Sequence, residues 1–251
     1  MEFKNQKMSK RIKLIYLKNC FLAVYLHLKC KRIAKKDVMP FSERYKFGQK
    51  FVSKFHQDGH IKIESFGKDN IPNDLKGCLF IANHQGRDDA LVILETLKDI
   101  PVSVVINDAR SHMFLLGPIC DMLKAKRIKF NNLRDQYKVY NEMSKEISNN
   151  KRYILFPEAG YNENKNNLLE FHTPGFTPAI KAKAPIIPIC LYDSYKIYDD
   201  KTLKEVKAEC HILKPIYYNE YKNLSKGEVA LLVKERIQDK LNEIKFLKNE
   251  D

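Results

Sequence analysis

Short apolar runs alternate with helical stretches along most of the chain after His60. Seven of these runs are rich in aliphatic and aromatic residues and have the length of strands. The predicted strands are 61–63, 78–82, 102–106, 127–130, 153–156, 186–191 and 206–213. The predicted helices of this region are 89–98, 133–148, 173–183 and a last helix that a capping box opens at Ser225. Such alternation predicts one α/β domain in which a mostly parallel or mixed sheet is covered by helices.

The first 57 residues have a different composition. Residues 10–36 combine Leu, Ile, Phe and Tyr with many Lys and Arg, and a second helical pattern follows Pro40. The apolar stretches are too short and too interrupted for a helix that spans a bilayer, which needs roughly 20 mostly apolar residues. We therefore expect 1–57 to be a basic amphipathic helix pair in contact with a membrane surface, and 58–251 to be the α/β domain. A helix pair that only packs on this domain is the alternative.

The charge of the chain indicates an anionic partner. Lys and Arg number 45 against 31 for Asp and Glu, which gives a formal net charge of +14. Nucleic acid, a phospholipid surface or a phosphorylated substrate would suit this excess. No helix-turn-helix, zinc finger or single-strand-binding signature accompanies it, so we expect no nucleic-acid partner. The six cysteines form no Cys-x-x-Cys pair, which indicates a reducing compartment and no zinc site.

The tract from Asn83 to Asp89 carries the first candidate chemistry. It follows the apolar strand 78–82 and precedes a predicted helix, so a short loop there can bring Asp89 to one ring nitrogen of His84. An imidazole oriented by a carboxylate is a general base that takes a proton from a nucleophile. In the alternative interpretation Asp89 is only a helix N-cap and His84 bonds a neighbouring carbonyl.

A second tract, Phe156-Pro157-Glu158-Ala159-Gly160, follows the predicted strand at 153–156. The carboxyl ends of strands in an open α/β sheet line its ligand crevice, so Glu158 and His84 are expected at one edge. Glu158 could accept a hydrogen bond from a substrate hydroxyl or from backbone donors of its own loop, and Gly160 would allow close backbone approach. A metal-dependent hydrolase with His84, Asp88, Asp89 and Glu158 as ligands is a rival from another class.

Together these tracts resemble the glycerolipid acyltransferases of the PlsC type, the lysophosphatidate acyltransferases. Asn83, His84 and Asp89 match the first block of that family, Asn-His-x-x-x-x-Asp. Phe156-Pro157-Glu158 matches the third block, Phe-Pro-Glu-Gly, with Ala159 in place of Gly. The apolar, Pro-containing strand at 184–189 is similar to the fourth block, and 171–176 is similar to a segment between the two. The likeness runs from about residue 78 to residue 215.

The resemblance implies transfer of a fatty acyl group to the free hydroxyl of a lysophospholipid. The favoured acceptor is 1-acyl-glycerol-3-phosphate, which gives phosphatidic acid in phospholipid biosynthesis. The donor would be a thioester of acyl carrier protein or coenzyme A, with no metal and no bound cofactor. The enzyme would lie peripherally on the cytoplasmic face of the cell membrane. Its implied catalytic residues are His84 and Asp89, and its implied substrate-binding residues are Asn83, Phe156, Pro157, Glu158, Gly160, Arg127 and Lys129.

Two positions depart from the family pattern. The second block usually ends in Asp-Arg after an apolar strand, and that place holds 127–131 here. The third block usually carries an Arg shortly after its Gly, and here Tyr161 and Asn162 follow. Lys126, Arg127 and Lys129 are expected to supply the missing charge, although Lys lacks the bidentate fork of Arg, and a solvated strand edge is the alternative. Acylation of another lysolipid, lipid alcohol or amine therefore stays open, as does a non-catalytic lipid- or nucleic-acid-binding protein on this fold.

Overall fold

The computed structural model describes residues 9–36, 39–161 and 163–249. Its seven strands correspond to the seven predicted runs. They are β1 (Ile61–Phe66), β2 (Cys78–Ala82), β3 (Ser103–Asn107), β4 (Lys126–Ile128), β5 (Arg152–Leu155), β6 (Ile186–Tyr192) and β7 (Val206–Ile212). β2 has the predicted bounds, the other strands differ from theirs by one to three residues at one or both ends, and β4 is shorter than predicted.

Ten helices surround the strands within the described residues. They are α1 (Lys10–Lys18), α2 (Cys20–Lys36), α3 (Phe41–Asp58), α4 (Asp89–Thr96), α5 (Leu116–Met122), α6 (Leu133–Ser148), α7 (Thr177–Ala182), α8 (Lys196–Asp199), α9 (Tyr218–Tyr221) and α10 (Lys226–Leu247). The helix predicted at 173–183 begins as a 3₁₀ turn, because Pro178 lacks the N–H group that a continuous α-helix would bond to the carbonyl of Pro174. The short helices α5, α8 and α9 are not evident in the sequence pattern.

The strands form one mixed sheet in the order β1-β7-β6-β2-β5-β3-β4. The five strands from β6 to β4 run parallel, whereas β7 pairs antiparallel with β6 and β1 follows the direction of β7. The α/β fold with a mixed, helix-covered sheet is therefore confirmed. The carboxyl ends of β6, β2 and β5 lie side by side at one edge.

Both faces of the sheet are buried, which explains why β2 is continuously apolar. Successive side chains of a strand point to opposite faces. Accordingly Phe80 and Ala82 belong to the core layer beneath α1–α4, and Leu79 and Ile81 belong to the layer beneath α6, α7 and α10. His84 lies two residues after Ala82, just beyond the carboxyl end of β2.

The N-terminal helices contribute to this core. Ile12, Ile15 and Cys30 are buried in the same cluster as the sheet. Arg11 is fully buried and donates to the carbonyl oxygens of Gly59, His60, Thr202 and Lys204, which fixes α1 to the domain. The predicted boundary at 57/58 falls at the end of α3, and residues 1–8 and 37–38 of the predicted segment lie outside the described residues. No helix in the described ranges is long and apolar enough to cross a membrane.

Candidate active site

His84 and Asp89 meet across the loop that joins β2 to α4. The Nδ1 atom of His84 lies 2.7 Å from Oδ2 of Asp89. The Asp89 side chain is fully buried, whereas 19% of the His84 side chain is exposed. Nε2 is thus the ring nitrogen that is left to exchange a proton with a bound substrate.

Asp89 is held by further donors. Its Oδ2 also accepts from the backbone N–H groups of Gln85 at 2.5 Å and Gly86 at 2.9 Å, and its Oδ1 accepts from Ser194 Oγ at 2.7 Å. Four donors on one carboxylate fix its orientation. Because α4 begins at Asp89 with Asp88 before it and no side-chain cap bond, the N-cap interpretation of Asp89 does not describe this loop.

Two aromatic rings fix the plane of the imidazole. Phe156 stacks on His84 with ring centroids 4.4 Å apart, and Tyr161 meets it edge-on at 4.8 Å. Phe156 thus lies at the site, as the sequence predicts. Tyr161 is a contact that the sequence reasoning treated only as a departure from the family pattern.

Glu158 supports the loop that carries His84. Its Oε1 accepts from the backbone N–H of His84 at 2.9 Å, and its Oε2 accepts from the backbone N–H of Leu169 at 3.0 Å. Burial raises the pKa of this carboxyl to about 7, and the two backbone hydrogen bonds oppose that shift. Of the two roles considered for Glu158, the geometry favours the backbone one.

Three further predicted site residues are buried near these groups: Asn83, Pro157 and Gly160. Asn83 is buried, and its side-chain amide pairs with both the N–H and the carbonyl of Leu191, which ties β2 to β6. Pro157 is buried and its carbonyl accepts from the N–H of His172, and Gly160 is buried as well. The contacts of Asn83 are therefore structural, and its predicted contact with substrate stays a prediction.

Arg127 and Lys129 lie apart from His84. Arg127 lies in β4 and Lys129 directly follows it. β4 is the edge strand, three positions from β2 in the sheet, so the two strands are separated by roughly 14 Å. The guanidinium of Arg127 contacts Ser111 Oγ, the carbonyl of Gly117 and Asp121, and Lys129 is exposed. Lys126 pairs with Glu142 and Glu146. The contacts of these residues thus favour the interpretation as a strand edge over the interpretation as a substrate-binding group.

A different arginine stands beside the site. Arg110, in the 3₁₀ turn after β3, donates from Nη1 to the Tyr161 hydroxyl at 3.0 Å and lies over the Tyr161 ring at 5.6 Å. Since Tyr161 also contacts His84, the Tyr161 side chain lies between the guanidinium and the imidazole and contacts both. The sequence reasoning missed Arg110. Its position directly after the strand β3, at the edge where ligands bind, was the available signal.

A buried polar network behind Asp89 was also missed. Gln85 accepts from the N–H of Ser194 and donates to Asn166 and to the carbonyl of Leu191. Asn166 in turn pairs with both the N–H and the carboxylate of Asp193. The network joins the ends of β2 and β6 to the loop at 163–168, so residues far apart in sequence fix one loop geometry.

Asp88 is the second buried carboxyl of the loop. It is 4% exposed, and its Oδ2 has no hydrogen-bond partner within the described part of the chain. Burial raises its pKa to about 8, with a further contribution from the charge of Asp89. Asp88 is therefore predominantly protonated at neutral pH.

A cavity of about 220 Å³ lies next to the site. The residues that line it include Phe156, Pro157, Ala159, Phe130, Leu133 and Tyr140. Ala159 has a left-handed backbone conformation with a φ of 55°, the region that favours the Gly of the family block. Within the described residues, no three His, Cys, Asp or Glu side chains cluster as a metal site would require.

A buried carboxylate that orients an imidazole at the carboxyl edge of an α/β sheet defines the general-base class of enzyme site. A family model described as Acyltransferase matches residues 62–192, and the chain belongs to this acyltransferase family. The fold matches the crystal structure of PlsC from Thermotoga maritima, a 1-acyl-sn-glycerophosphate (LPA) acyltransferase. That match has a TM-score of 0.66 and 18% identity, and it covers 92% of this chain and 98% of that chain. No curated protein gives a significant match.

Proposed function

We propose that this acyltransferase moves a fatty acyl group from a thioester of acyl carrier protein or coenzyme A to the hydroxyl of a lysophospholipid. The proposed acceptor is 1-acyl-glycerol-3-phosphate, and the product is then phosphatidic acid. The contact between His84 Nδ1 and Asp89 Oδ2 carries this proposal, because it leaves an oriented general base at the edge of the sheet. The reaction named for the Thermotoga maritima protein, which has the same fold, supports the choice of acceptor.

In the proposed reaction, His84 Nε2 takes the proton of the acceptor hydroxyl as its oxygen bonds to the thioester carbonyl carbon. The C–S bond then breaks, and the thiolate recovers the proton from the imidazolium. Asp89 stabilises the imidazolium and holds the tautomer with the proton on Nδ1. Positioned general-base help contributes about 10²–10⁴-fold, and alignment of the two substrates supplies much of the remainder. No step in this scheme uses a metal or a bound cofactor.

Arg110 is the proposed grip on the acceptor phosphate. Its guanidinium contacts Tyr161, which directly follows the third block in the sequence, and the Tyr161 ring in turn contacts His84. A guanidinium binds a phosphate through two parallel hydrogen bonds, which fixes orientation as well as charge. A neutral acceptor would gain nothing from this contact, so the position of Arg110 favours the phosphorylated lysolipid over a lipid alcohol or amine.

The proposed location is the cytoplasmic face of the cell membrane, with the protein bound peripherally. The segment 10–36 contains no Asp or Glu, and α2 leaves Phe21, Tyr25 and Leu28 exposed. Basic residues next to exposed aromatic and aliphatic side chains suit an anionic lipid surface. No nucleic-acid partner is proposed.

The test is release of free thiol from acyl-coenzyme A and acyl carrier protein in the presence of a panel of lysolipids. We expect the highest rate with 1-acyl-glycerol-3-phosphate and no detectable transfer by His84→Ala. His60→Asn is the matched control, because His60 is exposed, lies outside the site and has a positive φ that Asn tolerates. Near-normal turnover by His84→Ala would refute the mechanism. Thiol release that needs no acceptor and stops with chelators would favour the metal-dependent hydrolase.

A further inference from the structure

Helix α2 presents an apolar face that the core of the described chain does not cover. Phe21, Val24, Tyr25 and Leu28 are 88%, 51%, 52% and 63% exposed. Their spacing of three and four residues places them on one side of the helix. We call these four residues the α2 face. Surfaces of this kind on a monomeric protein mark an interaction site.

A second exposed apolar element lies beside the α2 face. Met113 and Phe114, in the segment between the 3₁₀ turn at Asp108–Arg110 and helix α5, are 58% and 60% exposed. We call this pair the wedge. Exposure of large apolar side chains to water is unfavourable, so an exposed pair of this kind indicates a surface that a partner covers.

His27 attaches the wedge to α2. Its ring stacks on Phe114 with centroids 4.2 Å apart and planes inclined by 8°, and its Nδ1 lies 2.6 Å from the carbonyl oxygen of Phe114. His27 is three residues after Val24 and one before Leu28, so it lies at the margin of the α2 face. The wedge is therefore held next to that face, and the two form one apolar surface from different parts of the chain.

The charges around this surface identify what covers it. Lys29, Arg32, Lys35 and Lys36 are exposed on the same helix, and no Asp or Glu occurs between residues 10 and 36. An apolar helix face whose charged neighbours on the same helix are all cations complements the interface of an anionic phospholipid bilayer, where the cations meet headgroups and the apolar groups enter the acyl region.

We propose that the wedge inserts into an anionic bilayer as a second membrane-contact element, in addition to the N-terminal helices. The wedge is three residues from Arg110, which contacts Tyr161 at the imidazole. One loop thus links the lipid surface to the place proposed for the acceptor headgroup. This inference rests on the proposed function only in taking the acceptor to be a lipid of the bilayer.

Two-point contact explains why a loop of the catalytic domain carries exposed apolar groups. A single amphipathic helix on a bilayer leaves the domain free to rotate about the helix axis. Contact through the wedge, on a different element from α2, restricts that rotation and holds Arg110, three residues before Met113, near the lipid surface.

The first test is binding to vesicles of three parts phosphatidylcholine and one part phosphatidylglycerol, measured by sedimentation. We expect the double variant Met113→Ser, Phe114→Ser to bind at least about tenfold more weakly than the unchanged protein. The matched control is Phe246→Ser, Leu247→Ser, a pair that is 83% and 70% exposed on α10, a helix that packs in the other core layer from α2. The control should bind within about twofold of the unchanged protein. Equal binding by both double variants, or no binding by the unchanged protein, would overturn the proposal.

The second test needs no loss of function. The chain contains no Trp, so Phe114→Trp introduces a sole indole at the wedge, and Phe246→Trp does the same on α10. On these vesicles we expect the emission of the Phe114→Trp variant alone to shift to shorter wavelength and to be quenched by doxyl-labelled lipids. Unquenched emission from vesicle-bound Phe114→Trp protein would show that the wedge stays in water, and this result rejects insertion.

Turnover separates this inference from the proposed function. On a short-chain lysophosphatidate below its micelle concentration, the wedge variant should match the unchanged protein, and on vesicle-borne acceptor it should be slower by the factor lost in binding. Absence of acyl transfer by the unchanged protein on every acceptor would remove the proposed function. The vesicle binding and the emission of the Phe114→Trp variant would still decide the wedge.

Discussion

The hydroxyl of Ser194 lies 2.7 Å from Oδ1 of Asp89, the carboxylate oxygen that His84 does not use. The remaining donors, from His84, Gln85 and Gly86, all converge on Oδ2. The carboxylate of Asp89 is therefore oriented by donors of its own loop and by Ser194, which is 105 positions away in the sequence.

Asp89→Asn should abolish the charge and keep the geometry. The new amide nitrogen can take the place of Oδ1 and donate to Ser194 Oγ, while the remaining oxygen keeps the three donors of Oδ2. We expect turnover to fall roughly 10³-fold or more, with a melting temperature within a few degrees of the unchanged protein. Steady-state kinetics and thermal unfolding followed by circular dichroism measure the two effects. A stable variant with unchanged turnover would contradict the role of the charge.

Ser194→Ala removes one orienting hydrogen bond and leaves the charge. Since a hydrogen bond of this kind contributes about 1 kcal/mol, kcat should fall roughly threefold to tenfold while KM is unchanged. Ser194→Thr retains the hydroxyl and should restore most of the rate. A Thr variant as slow as the Ala variant would assign the effect to packing instead of to the hydroxyl.

Glu158→Gln should weaken both the loop and the reaction. One of the two carboxylate oxygens becomes an NH₂ group that faces the backbone N–H of His84 or of Leu169, so two donors meet. We expect a loss of about 1–3 kcal/mol in the free energy of unfolding and a fall of roughly tenfold to hundredfold in kcat through displacement of His84. Glu170→Gln is the control, because Glu170 is exposed. Full activity in the Glu158 variant would show that the anchoring of His84 does not matter.

Ala159→Gly should stabilise the protein. The φ of 55° places Ala159 in the left-handed region, where a Cβ costs about 1–2 kcal/mol, and the larger unfolded-state entropy of Gly offsets about half of that. The expected gain is up to about 1 kcal/mol in urea unfolding. Ala34→Gly, within helix α2, should instead cost about 1 kcal/mol. A loss of stability at position 159 would mean that the methyl group contributes more by packing than it costs in strain.

Asp88→Asn should change how stability depends on pH. Burial raises the pKa of Asp88 from 3.8 to about 8, so between these values the folded protein holds a proton that the unfolded chain has released. This group therefore lowers stability as pH rises through that window. The variant should gain about 1–3 kcal/mol over the unchanged protein at pH 8 and little at pH 4. Urea unfolding at both pH values tests this, with the exposed Asp74→Asn as control. A gain that is the same at both pH values would contradict it.

Arg110→Ala should impair binding of the phosphorylated acceptor selectively. Loss of a bidentate contact is expected to raise KM for 1-acyl-glycerol-3-phosphate roughly tenfold to hundredfold. Arg110→Lys should recover only part of the loss, because an ammonium cannot form the fork. The rate on a lysolipid without a terminal phosphate should stay the same, as should that of the exposed control Arg134→Ala. An equal loss of activity on both acceptors would show that Arg110 supports the structure of the site and does not bind the phosphate.

The sequence by itself determined the α/β class, the seven strands and the pair formed by His84 and Asp89. These depend on local patterns: apolar runs fix the strands, and five positions of chain are enough to bring the carboxylate back to the imidazole. The tract at Phe156 was also recognisable, because it follows a strand whose carboxyl end must lie near that of β2.

Only the tertiary structure decided which side chains complete the site. The sequence pattern favoured Arg127 as the cation for the substrate, but the strand order places β4 at the sheet edge and gives the nearer position to Arg110. Ser194 reaches Asp89, and Phe114 reaches His27 of α2, across separations that no local pattern encodes. Strand order and helix packing are set by burial summed over the whole core, so contacts between distant segments follow from the fold and not from any short stretch of sequence.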